Sequence, residues 1–140
     1  KDNVKYGIVY EDDVLFNKDI TSNLLIKYIN NLPNDWNILL LNKNKVTMNK
    51  LKNKSDLYKV KKFLCTHSYI IKSDIINYLL ENIFPINQQI DFKLSCLATN
   101  NILNIYLYND KKFYKQYKNN TTNIQTDTIS NASWELNCNI

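Results

Sequence analysis

The apolar positions of the chain fall into short blocks separated by polar stretches, and the period within each block predicts its element. Residues 5–10 (Lys-Tyr-Gly-Ile-Val-Tyr) are β-branched and aromatic, which predicts a first buried strand. Val14, Leu15 and Phe16 predict a turn back into the core. Leu24, Leu25, Tyr28, Ile29 and Leu32 recur at helical spacing, so an amphipathic helix follows over 19–31. Asn17 or Asp19 is its candidate cap, and Leu32-Pro33-Asn34 its stop. The run 37–41 is apolar almost without a break, as in a strand buried on both faces of a parallel sheet, with Trp36 packed at the sheet end. Strand, helix and strand in this order make a right-handed crossover the default.

Residues 42–62 are polar and lysine-rich without a period, and predict a long surface loop. Residues 63–72 read as a strand, firmest over 68–71. Ser73 then caps a helix that presents Ile75, Ile76, Leu79, Leu80 and Ile83 on one face and closes at Pro85. Asp91 can start another helix running to about Thr99, with Phe92, Leu94, Leu97 and Ala98 inward. Residues 102–108 predict a strand, and 112–117 a short extended segment. These alternating elements predict an α/β domain over 1–117 and a polar tail over 118–140, anchored if at all by Ile129, Trp134 and Leu136. A strand so near the start either has neighbours upstream or is an edge.

Composition narrows the function classes. The 140 residues make one domain, and 44% hydrophobic with 22% charged is the balance of a soluble globular chain. The net charge of +5 comes from lysine alone. Without arginine the bidentate contacts common in nucleic-acid binding are missing, so no nucleic-acid partner is expected. An anionic ligand must then be held by lysine, backbone N–H groups or a metal. Cys65, Cys96 and Cys138 are odd in number and far apart, which argues against a disulfide framework and a zinc site, and for a reducing, cytoplasmic location. No apolar run is long enough to span a membrane.

The candidate chemistry begins at Glu11-Asp12-Asp13, three carboxylates at a strand end. Such crowding of like charge is relieved either by solvent around an acidic turn or by a divalent cation, which favours hard oxygen ligands. Either Glu11 and Asp13 share one side of an extended backbone, or a turn brings Asp12 and Asp13 together. His67, the sole histidine, is either a ligand-binding imidazole or a packed residue. Asp91 is either a general base or a helix cap.

Five segments in the same order carry a resemblance. They are Glu11-Asp12-Asp13-Val14 with Phe16, the strand Asp35-Trp36-Asn37-Ile38-Leu39-Leu40-Leu41, Thr66-His67-Ser68-Tyr69-Ile70-Ile71 with Leu79-Leu80, Ile90-Asp91, and Gln116. Together they resemble glycosyltransferase family 25, which includes lipooligosaccharide and collagen galactosyltransferases and related giant-virus proteins. The resemblance implies a GT-A-like (Rossmann-like) mixed sheet flanked by helices. No segment matches the family's upstream Asn-Leu strand, so the fold is expected to be incomplete at its N-terminal nucleotide-binding end. Where the family tends to have glycine, this chain has Asn42 and Leu64-Cys65, and Asn42 is expected to preserve the turn through a positive φ.

The implied activity is metal-dependent transfer of a hexose, galactose or glucose, from a UDP-sugar to a hydroxyl of a glycan or protein acceptor, by inverting displacement. Asp13 and then Glu11 are the expected ligands of manganese or magnesium. Asp12 would act through ribose or water, His67 and Gln116 belong to the donor site, and Asp91 is the expected general base. The competing expectation is a truncated or degenerate, non-catalytic binding module.

Overall fold

The computed structural model describes residues 4–12, 14–42, 45–54, 56–109, 114–116 and 138. Its main sheet has six strands in the order β1 (Tyr6–Tyr10), β6 (Ser68–Lys72), β3 (Ile38–Leu40), β7 (Ile105–Tyr108), β5 (Leu57–Phe63) and β4 (Val46–Lys50). Only β3 and β7 are parallel neighbours; every other adjacent pair is antiparallel. It follows that β1, β3 and β7 run in one direction and β6 runs against them. A separate two-stranded ribbon pairs β2 (Val14–Phe16) with β8 (Tyr114–Gln116).

The alternation of side chains across β3 and β7 builds two cores. Leu39, Leu41, Tyr106 and Tyr108 pack on one face with Leu25, Leu32 and Trp36, against helix α1 (Ser22–Asn30). Ile38, Leu40, Ile105 and Leu107 pack on the other with Leu79, Leu94, Leu97 and Ala98, from helices α2 (Ile76–Ile83) and α3 (Ile90–Thr99). The predicted α/β class is therefore met by a mixed sheet with helices on both faces. No helix among the described residues is long and apolar enough to cross a membrane.

Several local expectations are corrected. The predicted loop over 42–62 contains β4 and most of β5, a hairpin that extends the main sheet. The strand predicted over 63–72 is the end of β5, a connection at 64–67, and β6. The crossover from β1 through α1 to β3 does not join adjacent strands, because β6 lies between them. Strand β1 is an edge, with Ile8, Val9 and both tyrosines about 40% exposed (37–42%) rather than buried. Leu15 points outward, while Val14 is buried.

Helix α1 is capped by Thr21, whose hydroxyl accepts from the Leu24 N–H, not by Asn17 or Asp19. Ser73 begins a 3-10 turn, and its hydroxyl donates to the Lys5 carbonyl instead of capping. Helix α2 buries Leu79 and leaves Ile76 and Leu80 exposed. The anchors proposed for the tail, Ile129, Trp134 and Leu136, lie outside the described residues.

Cys96 on α3 forms a disulfide with Cys138, which overturns the expectation that the separated cysteines stay unbridged. Spacing of 42 residues hid the pair, since bridging depends on where the chain returns and not on sequence distance.

Candidate functional site

The strand directions gather the predicted residues at one end of the sheet. Strands β1 and β3 finish there and β6 begins there, as the pairs Tyr10 with Ser68 and Leu40 with Tyr69 record. Glu11 leaves β1, Asn42 follows β3, and Thr66 and His67 lead into β6, so all four occupy this end. Ladder-like backbone bonds continue past the strands: Glu11 N–H donates to the His67 carbonyl at 2.9 Å, and Leu41 N–H to the Ser68 carbonyl at 3.0 Å.

Glu11 is tied to the segment entering β6 through its side chain as well. One carboxylate oxygen lies 2.6 Å from His67 Nδ1, and the other accepts from the Thr66 hydroxyl at 3.4 Å. The His67 side chain is 10% exposed and that of Glu11 42%. The Val14 N–H donates to the Glu11 carbonyl at 3.4 Å, closing a four-residue turn with Asp12 exposed within it. Asp13 lies outside the described residues.

Asp91 reaches the same region from the first turn of α3. Its Oδ2 accepts from the Cys65 N–H at 2.8 Å and its Oδ1 from the Phe92 N–H at 2.7 Å. It is not the helix cap; Gln89 holds that position without a side-chain bond. Cys65 has φ of 67°, the left-handed conformation that costs a residue with Cβ about 1–2 kcal/mol. The Asp91 bond holds that backbone in place. Burial pushes the Cys65 thiol up from its ordinary value, and the Asp91 and Glu11 carboxylates push it further, outweighing Lys45. The same two effects, burial first and Glu11 second, raise the Tyr69 phenol. These surroundings disfavour the Cys65 thiolate.

Compared with known protein families and with curated proteins, the chain has no match. What bears on its function is therefore the geometry at this end of the sheet.

That geometry brings Glu11, His67 and Asp91 around the 65–67 segment and leaves Asp12 exposed beside them. Gln116 lies in β8, paired with Val14, so its backbone is held by the strand that follows the acidic turn. Among the described residues no three His, Cys, Asp or Glu side chains are grouped to hold a metal ion. Glu11 already has a partner on each oxygen. The manganese or magnesium site that the resemblance implies rests on Asp13, outside the described residues, as well as on Glu11.

The sequence placed Cys65 within a strand over 63–72, whereas it lies in the connection between β5 and β6, and it assigned Asn42 the wrong task. Asn42 does not adopt a positive φ; Lys45 and Cys65 do, at 37° and 67°. Asn42 is buried, and its Oδ1 accepts from the Ser68 N–H at 3.1 Å. Asn42 Nδ2, His67 Nε2 and Ser68 Oγ are buried without a hydrogen-bond partner among the described residues. Each unmet group costs about 1–3 kcal/mol, so three in adjoining residues set this region apart from the apolar cores behind it. The signal available in the sequence was a polar residue, Asn42, at the end of an all-apolar strand.

An open groove of about 490 Å³ lies elsewhere, at the opposite end of the sheet, lined in part by Lys5, Tyr6, Leu32, Trp36, Lys72 and Ser73. Glu11, Asp12, His67 and Asp91 are not among its lining residues. Lys72 Nζ there donates to the Asn34 carbonyl and sits 5.1 Å from the Trp36 ring centroid, so it is committed to packing.

Proposed function

We propose that the chain is a glycosyltransferase of GT-A type, moving a hexose from a UDP-sugar to a hydroxyl of a glycan or protein acceptor. The observation that carries this reading is the convergence of Glu11, His67 and Asp91. These residues come from three segments that resemble family 25 and lie up to 80 positions apart, and they meet at the end where β1 and β3 finish. Ligands of open α/β sheets gather at such strand ends.

In this reaction the acceptor oxygen attacks the anomeric carbon, and the bond from that carbon to the diphosphate breaks with its electron pair leaving on the diphosphate. The acceptor proton passes to Asp91. Each Asp91 oxygen holds one N–H, and a carboxylate oxygen has a further lone pair for the incoming hydroxyl. The two backbone donors fix the carboxylate in place before the acceptor arrives, which is the preorganisation a base needs. Asp13 would hold manganese or magnesium and Asp12 would act through ribose or water, while Gln116 and His67 would border the donor.

The variant Asp91→Asn tests the assignment. It keeps the acceptor oxygen for the Cys65 N–H and removes the base, so transfer should be lost while UDP affinity stays. Equal loss of both contradicts the base role.

A second reading, a non-catalytic binding module, is favoured by one observation. Among the described residues strand β1 is the outermost strand of the main sheet, with apolar side chains exposed on both faces. The Cys96–Cys138 bond favours an oxidising compartment over the cytoplasmic location expected from the sequence.

A further inference from the structure

Three bonds join Glu11 to a single dipeptide. Its backbone N–H donates to the His67 carbonyl, one carboxylate oxygen meets His67 Nδ1, and the other accepts from the Thr66 hydroxyl. We propose that Glu11 is a positioning residue for His67 and not a ligand of a cation.

A carboxylate only accepts, so a 2.6 Å contact with Nδ1 places the ring proton on Nδ1. The ring is thereby locked in one tautomer, with Nε2 as its free lone-pair atom. That atom is buried and has no hydrogen-bond partner among the described residues, and the His67 side chain is nine-tenths buried. A carboxylate on one imidazole nitrogen with the other nitrogen left open is the arrangement by which proteins orient histidine toward a ligand. The turn closed by the Val14 N–H completes the division of labour. The first acid of the triplet folds back onto the segment entering β6, and Asp12 is left exposed for a ligand. This assignment stands whether or not the chain transfers a sugar.

The chain has one histidine, so a nitrogen-15 spectrum of its imidazole reads His67 alone. In the wild-type protein, at a pH where the ring is neutral, the proton is expected on Nδ1. Saturating magnesium is expected to leave the pattern unchanged. Glu11→Gln, whose amide oxygen can still accept, should retain the Nδ1–H form, and Glu11→Ala should lose it. A wild-type ring protonated on Nε2 overturns the proposal whether or not either variant folds. A magnesium-induced change in the ring pattern also overturns it, because the cation would then be taking the carboxylate from the histidine.

Discussion

The left-handed backbone at Cys65 offers a test of the site's construction that needs no substrate. With φ at 67°, any side chain at this position strains the backbone by about 1–2 kcal/mol, and glycine alone escapes that cost. Glycine also loses more freedom on folding, which takes back about 0.4–1 kcal/mol. Replacing Cys65 by Ala and by Gly removes the thiol in both, so the difference between the two variants isolates the backbone. Cys65→Gly should exceed Cys65→Ala by about 0.5–1 kcal/mol in urea unfolding, equivalent to roughly 2–3 °C in melting temperature for a chain of this length. If the glycine variant is equal to or less stable than the alanine variant, the 65–67 segment is not held in the strained conformation. The lock between Asp91 and β6 then loses its basis.

Three further outcomes follow from neighbouring interactions. Asp91→Ala removes the acceptor for the Cys65 and Phe92 N–H groups and should cost about 2–3 kcal/mol by urea unfolding, whereas Asp91→Asn should cost clearly less; equal losses would contradict the backbone lock. Cys138→Ser opens a 42-residue closure and should lower stability by at most about 4 kcal/mol on the chain-entropy account, with no effect of reductant on the variant. Three alkylatable thiols in the denatured, unreduced wild type would refute the bridge. The Tyr106 phenol, raised to about 12 by burial and then by the hydrogen-bonded Asp35, holds its proton more tightly when folded than the ordinary value of 10.0. Its contribution is complete below pH 10 and lost as pH rises through 12, so Tyr106→Phe should flatten the fall in urea midpoint over that interval.

The legible parts of the fold were those whose own sequence decides their burial. Ile38 to Leu41 is apolar on both faces and lies at the centre of the sheet, and Leu25 with Leu24, Tyr28 and Ile29 gave α1 its inward face. Strands β4 and β5 were not legible. Leu57, Val60 and Phe63 are buried at intervals of three with lysines between them, and a bulge breaks β4 between Thr47 and Met48, so no period of two survives. Strand β1 reads as buried because Ile8 and Val9 are apolar, but burial at an edge depends on neighbours that a strand's own residues cannot specify.

The site divides in the same way. Glu11, His67 and Asp91 could each be singled out by residue type and local position. Their contacts could not, since 56 positions separate Glu11 from His67 and 26 separate Cys65 from Asp91. A carboxylate triplet reads as one unit in sequence, yet Glu11 faces inward to His67 while Asp12 is exposed. The positive φ expected at Asn42 occurs instead at Lys45 and Cys65, because Asn42 is drawn into the sheet by its bond to the Ser68 N–H.

The central claim is that the carboxylates at this sheet end serve a nucleotide-sugar donor. Calorimetric titration with UDP, in the presence and absence of manganese, tests it most directly. The account predicts that the wild-type protein binds UDP only when manganese is present and that Asp13→Ala abolishes this binding. A wild-type protein that shows no manganese-dependent binding of UDP contradicts it.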